Sequence, residues 1–127
     1  MKKIILVTFL AAGFNFFCTN VIHAQNNSSF LRHIVIVTFK KDAAADSVKM
    51  LDDTYLNLSK NPMVKDFEMG VNISARDTNV VKHIYMTTFG SKEDMDNYKK
   101  VPMYKDLFKI SLSVAEDFSV VDYWTKK

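Results

Sequence analysis

The chain has 127 residues, about half of them apolar, which suits one globular domain and not two. Its formal net charge is +3, and loss of Lys2 and Lys3 with an N-terminal signal would leave 15 of the 17 basic residues against 14 acidic ones. This balance gives no electrostatic reason to expect nucleic acid or an anionic membrane as a partner.

The N-terminus has the three-part layout of a secretory signal peptide. A short basic start precedes a predominantly apolar stretch of 14 residues, Ile4 to Phe17, and a polar region then ends at Ala24. Fourteen residues are too few for a helix that spans a membrane, so we predict a signal peptide over 1–24. The alternative is a lipid attached to Cys18, which the large residue before that cysteine disfavours.

Cleavage after Ala24 would leave a mobile leader over 25–30 and one domain over 31–125. The protein would then be exported, to the periplasm or the outside, without a membrane association once the signal is removed. The chain has one cysteine, within the signal, so the exported domain would have no disulfide, thiolate nucleophile or cysteine-bound metal.

Strands and helices alternate along the predicted domain. Long β-branched runs indicate strands, apolar residues spaced three and four apart indicate helices, and Pro62 and Pro102 end helical segments. The predicted elements are a strand over 33–40, a helix over 43–60 with Asp42 or Asp46 at its start, strands over 64–73 and 80–89, a helix that is capped by Ser91 and broken at Pro102, a helical piece over 103–116 and a strand over 118–124.

This order predicts an α+β fold of the ferredoxin-like βαββαβ kind, with the helices on one face of an antiparallel sheet. The first and third strands are apolar on both faces, and one helix layer covers only one of them. Ile34, Ile36, Ile84 and Met86 would lie on the uncovered face. Since such a patch is unusual on a monomer, we predict a homodimer with the two sheets packed face to face.

Histidines and tyrosines dominate the candidate site. His33 and His83 stand near the starts of two strands, and Tyr98 and Tyr104 flank Pro102, so we predict that they converge with Tyr85 between sheet and helices. Tyr98 would act as hydrogen-bond donor or acid, with His33 as its partner. The predicted ligand-binding residues are His33, Val35, Val37, His83, Tyr85, Tyr98, Val101 and Tyr104, and the predicted catalytic residues are Tyr98 and His33.

The alternative for these residues is a purely structural role, as core aromatics and hydrogen-bonded strand-end histidines of a non-catalytic dimer. We expect no metal, because the exported domain has two histidines and no matching carboxylate pattern. We expect no cofactor, since no glycine-rich phosphate loop is present.

Several ordered motifs resemble the stress-responsive dimeric α/β-barrel (Dabb) family over about residues 31–124. They are the run from Arg32 to Phe39, the run over 64–70, the run over 83–89 followed by Ser91 to Asp94, Tyr98, and the closing run from Phe118 to Tyr123.

The resemblance implies a dimer whose two sheets form a barrel. By similarity to one member, plant olivetolic acid cyclase, it implies proton transfer by Tyr98, with His33 and His83 at the family's strand histidines. The family's two histidines beside the helix break are Val101 and Tyr104 here. The function therefore stays open between a small-molecule binder, a cofactor-independent lyase, cyclase or monooxygenase, and a structural dimer.

Overall fold

A four-stranded antiparallel sheet and three α-helices make up the part of the chain that the computed structural model describes, residues 29–77 and 79–126. The predicted signal peptide and residues 25–28 of the predicted leader lie outside it. The elements are β1 (Leu31–Phe39), α1 (Ala45–Leu58), β2 (Val64–Val71), a 3₁₀ turn (Ala75–Asp77), β3 (Lys82–Phe89), α2 (Lys92–Tyr98), α3 (Pro102–Val114) and β4 (Ala115–Trp124).

The strands lie in the order β2-β3-β1-β4, and every neighbouring pair is antiparallel. This is the predicted βαββαβ order with its helices on one side of the sheet, and the α+β prediction is confirmed. The β-branched run of β1 lies at the centre, between β3 and β4, where both of its edges are hydrogen-bonded.

Local signals explain where the helices begin. The Ser91 side chain accepts a hydrogen bond from the Asp94 backbone N–H at 3.0 Å, as the predicted N-cap of α2 requires. The N-cap of α1 is Ala44, without a side-chain cap, and of the two acidic residues expected at the start of this helix Asp46 lies in the first turn. Pro102 occupies the start of α3, where a missing N–H costs nothing.

The last strand begins at Ala115, three residues before the predicted start. The register with β1 shifts between Thr38 and Phe39, whose partners are Asp117 and Ala115, so Glu116 is skipped in the ladder. A bulge of this kind lets a strand absorb one residue that does not fit the alternation. The helical periodicity through Glu116 had concealed it.

The core lies between the sheet and the helices, and each strand contributes the side chains of one face. Burial alternates along β1, and its fully buried residues point to the helices. On the opposite face, which we call the open face, Ile34, Ile36, Ile84 and Met86 are half-buried, and Val121 and Tyr123 are exposed. In the described part of the chain, the helices pack on the core side and not on the open face.

Candidate functional site

The antiparallel register arranges the helix-facing side chains in rows across three strands. One row is polar, and the next two rows contain mostly apolar side chains. They are Thr87, His33 and Asp122 (the polar row), then Tyr85, Val35 and Val120, then His83, Val37 and Phe118. Side chains two residues apart on one strand lie about 7 Å from each other, so each row is a close neighbour of the next.

The polar row contains a carboxylate–histidine pair. His33 Nδ1 lies 2.5 Å from Asp122 Oδ1, and His33 is only 3% exposed. Lys99 Nζ lies 3.8 Å from the other Asp122 oxygen. Since a carboxylate accepts hydrogen bonds, the pair holds His33 in the tautomer whose Nδ1–H donates to Asp122.

The other ring nitrogen of His33 has an unusual environment. Nε2 is buried and has no hydrogen-bond partner among the described residues. Burial lowers the pKa of His33 from its ordinary value of 6.5, and the hydrogen bond and charge of Asp122 only partly oppose this effect. The imidazole is therefore neutral near pH 7 and presents a buried lone pair that can accept a hydrogen bond or a proton.

Two tyrosines cover the polar row from the break between α2 and α3. Tyr98 is buried, hydrogen-bonds Thr87 and packs edge to face against Tyr104, with ring centroids 5.5 Å apart. Burial raises the pKa of Tyr98, which the Thr87 hydrogen bond opposes, and burial followed by the Asp122 charge raises the pKa of Tyr104. Both phenols therefore stay protonated and can donate hydrogen bonds, but neither is a base near neutral pH.

An apolar cavity of about 140 Å³ lies above the two rows next to the polar row, over β1 and β4, and His33 is not one of its lining residues. Phe108 and Phe118 stand edge to face at its rim, and both are about half exposed, so the cavity opens to solvent beside β4. The lining residues are Val35, Val37, Tyr55, Tyr104, Leu107, Phe108, Ser111, Phe118 and Val120.

A second polar cluster lies two rows from His33. The Asp52 Oδ1 atom accepts a hydrogen bond from the Tyr85 hydroxyl at 2.7 Å and lies 2.9 Å from His83 Nδ1. Tyr85 stacks on Tyr55, with centroids 3.7 Å apart. These contacts link β3 to α1 on the side of the core away from β4.

The prediction that both histidines and the tyrosines converge is therefore wrong. In the register, His33 pairs with Thr87 and His83 pairs with Val37, four residues further along β1. This separates the two histidines by roughly 13 Å along the sheet. The physical reason is that β1 and β3 are antiparallel, so residues near their starts lie at opposite ends of the ladder.

The structure distributes the predicted site residues over four places. Val35, Val37 and Tyr104 line the cavity, and His33 and Tyr98 belong to the polar row and its cover. His83 and Tyr85 belong to the Asp52 cluster. Val101 is half-buried at the N-cap of α3, beside a surface groove.

Sequence reasoning missed Asp122 as the partner of His33 and Asp52 as the partner of His83. The sequence did contain a signal for Asp122, because it is a carboxylate on the helix-facing side of β4, which is otherwise apolar. It also missed the contribution of β4 and α3 to the cavity wall, through Ser111, Phe118 and Val120.

Within the described residues, no group of three or more histidine, cysteine or acidic side chains is placed to hold a metal ion. No helix in that part of the chain has the length and apolar character needed to cross a membrane.

Comparison with known proteins identifies the family. Residues 31–125 match the model of the Stress responsive A/B Barrel Domain, Dabb. The chain is 28% identical over 96 residues to the Stress-response A/B barrel domain-containing protein HS1 of Arabidopsis thaliana, covering 73% of this chain and 87% of that protein.

Solved structures share the fold. A hydroxynitrile lyase from Passiflora edulis is 22% identical, with a TM-score of 0.70 over 79% of this chain and 96% of that one. A dimeric ferredoxin-like protein from Thermobifida fusca is 15% identical, with a TM-score of 0.66 over 78% and 93%. At these identities the likeness extends to the fold alone. The match of residues 31–125 to the family model shows that this chain belongs to the stress-responsive A/B barrel domain (Dabb) family.

Proposed function

We propose that this domain binds a small aromatic or apolar molecule, about one ring in size, in the cavity between α3 and β4. The observation that supports this most strongly is an apolar cavity lined by Val35 and Val120, which lie one row along the sheet from His33 and its buried, unpartnered Nε2. An apolar cavity of about 150 Å³ in another protein holds benzene, so about 140 Å³ suits one ring or a short alkyl chain.

The polar row adds a chemical preference to this ligand. Because His33 is neutral and Nδ1–H is committed to Asp122, Nε2 acts as an acceptor. It therefore favours a ligand with a hydroxyl donor at one end of an apolar body, as in a phenol. Val35 and Val120 lie in the row next to the polar row, about 7 Å from it along the strands. A molecule the size of a phenol can span this distance.

Calorimetric titration with phenol and 4-ethylphenol tests the proposal. Ser111→Leu places apolar bulk in the cavity, and Ser113→Leu is its matched control. Both serines lie on α3 and bond a backbone carbonyl, but Ser111 lines the cavity and Ser113 is exposed. We expect Ser111→Leu to weaken binding at least tenfold and Ser113→Leu to leave it unchanged. Equal affinities for all three proteins, or no binding to any, would refute the proposal.

A second candidate function is proton-transfer catalysis without a cofactor, by a lyase or cyclase. The His33–Asp122 pair supports it, since a carboxylate-oriented imidazole is a general base, and Tyr98 is a protonated donor nearby. With mandelonitrile as a one-ring probe, His33 would take the hydroxyl proton, and the carbon–carbon bond to cyanide would break to give benzaldehyde. Cyanide then accepts the proton.

Release of benzaldehyde by the wild type and its loss in both His33→Leu and Tyr98→Phe would support catalysis. Turnover that Tyr98→Phe leaves unchanged would remove Tyr98 from the mechanism. If the folded protein neither turns over nor binds the probes, the structural-dimer alternative gains support.

We further propose that the domain is a homodimer through its open face. The half-buried Ile34, Ile36, Ile84 and Met86 form an apolar surface that a second copy would cover, and the similar Thermobifida fusca protein is dimeric. Sedimentation of Ile84→Glu should show a monomer. Val81→Glu, at an exposed residue three positions earlier, should remain dimeric. A monomeric wild type would refute this proposal.

Export remains a proposal from the sequence, because the predicted signal peptide lies outside the described residues. Mass spectrometry of the protein expressed from its full sequence should find a mature chain that begins at Gln25. An intact N-terminus in the cell extract would contradict it.

A further inference from the structure

The space between the sheet and the helices is divided in two. The cavity occupies the half above β1 and β4, whereas the half above β3 is filled by aromatic rings. Tyr85 is the direct cross-strand neighbour of Val35, which lines the cavity floor. Since the two residues share the helix-facing side, the Tyr85 ring stands immediately beside the cavity floor.

Tyr55 forms the wall between the two halves. It lines the cavity and also stacks on Tyr85, with centroids 3.7 Å apart and an angle of 11° between the planes. Phe67 lies on the β2 side of the same wall, 6.4 Å from the Tyr55 ring. A ligand that extended from the cavity towards β3 would have to displace both tyrosines, because Tyr85 is completely buried.

The Tyr85 ring is held at its far end as well as by stacking. Its hydroxyl donates to Asp52 at 2.7 Å, and the same carboxylate oxygen lies 2.9 Å from His83 Nδ1. An aliphatic side chain in this place could change rotamer to admit a longer ligand. A tyrosine pinned between β3 and α1 by a hydrogen bond has far less freedom to do so.

From this geometry we infer that Tyr55, backed by Tyr85, which Asp52 fixes in place, is a specificity-determining end wall that restricts the cavity to one ring or a short chain. The inference rests on the proposed binding function and names its size limit. It predicts that phenols gain nothing from long alkyl tails directed towards β3, because the two stacked tyrosines fill the space on that side of the cavity.

Titration with phenol, 4-ethylphenol, 4-butylphenol and 4-hexylphenol tests the inference. Each methylene that becomes buried should strengthen binding about fourfold. For the wild type we expect the affinity to stop rising after the ethyl group. Tyr85→Leu removes the ring on which Tyr55 stacks, so that Tyr55 can move aside; for this variant we expect the affinity to keep rising, and 4-hexylphenol to bind at least tenfold more tightly than to the wild type. Asp52 keeps His83 as a partner in this variant.

Phe89→Leu is the matched control. Phe89 is also a completely buried aromatic residue on the same face of β3, but its ring packs on Tyr98, away from the stack. It should retain the wild-type profile. An unchanged profile in folded Tyr85→Leu, or the same shift in both variants, would overturn the inference.

The wild-type series is decisive even if Tyr85→Leu does not fold. Affinity that rises steadily up to 4-hexylphenol would show that no end wall exists, while the binding proposal would stand. Failure of the wild type to bind any of the four phenols would overturn the binding proposal, and the size limit with it.

Discussion

Replacement of Asp122 by alanine tests most directly whether its hydrogen bond with His33 stabilises the fold. The carboxylate is the acceptor for His33 Nδ1–H, and His33 is 3% exposed with its Nε2 already lacking a partner among the described residues. Asp122→Ala would therefore leave both ring nitrogens unsatisfied. A buried donor without an acceptor costs about 1–3 kcal/mol. We expect a loss of about 2 kcal/mol in the free energy of unfolding, or a melting temperature lower by roughly 10 °C.

Urea denaturation at pH 7.5 and one fixed protein concentration measures this loss. Asp117→Ala, at an exposed residue of the same strand, is the control and should change the free energy of unfolding by less than about 0.5 kcal/mol. In a His33→Leu background the Asp122→Ala cost should largely disappear, since the donor is gone. Equal losses for the two alanine variants, or the same Asp122→Ala loss in both backgrounds, would refute the pairing.

Three further predictions concern pH and local hydrogen bonds. Because burial lowers the pKa of His33 from 6.5, the folded state binds fewer protons than the unfolded state below that pH, so the free energy of unfolding should fall as pH drops from 6.5 to 5. The fall should be shallower in His33→Leu, and parallel urea curves would contradict this. Tyr98→Phe, which removes the Thr87 hydrogen bond, should cost about 1 kcal/mol by thermal unfolding, and no loss would mean that the bond adds nothing. Ser91→Ala removes the cap on the Asp94 N–H and should also cost about 1 kcal/mol, whereas Ser91→Gly should cost less, and the reverse order would argue against capping.

The fold was predictable because its signals are local. The strict alternation of β1 and the Ser91 cap each determine structure within a few residues, and they gave the right faces and element order. The apolar open face followed from the same alternation. Element ends were less predictable, since Glu116 fits a helical period and also fits a bulged strand.

The site was only partly predictable because its contacts depend on register between distant segments. His33 and Asp122 are 89 residues apart and meet only through the β1–β4 ladder, with a shift after Thr38 that a sequence does not show. The antiparallel direction of β1 and β3, in contrast, was predictable from the sequence. Antiparallel pairing of β1 with β3 by itself separates His33 from His83.

The apolar side of α3 illustrates a further limit. The buried stripe consists of Leu107, Ser111 and Val114, whereas Phe108 and Leu112 are about half exposed. Hydrophobicity alone would put the two larger side chains inside. The small Ser111 instead faces the core, and the space that it leaves is part of the cavity.

A crystal structure of the protein with 4-ethylphenol tests the central claim most directly. We predict the ring between Val35, Leu107 and Val120, with its hydroxyl about 2.6–3.2 Å from His33 Nε2. An empty cavity at saturating probe, or a ring bound only on the open face beside Ile84, would contradict the claim that this cavity is the ligand site.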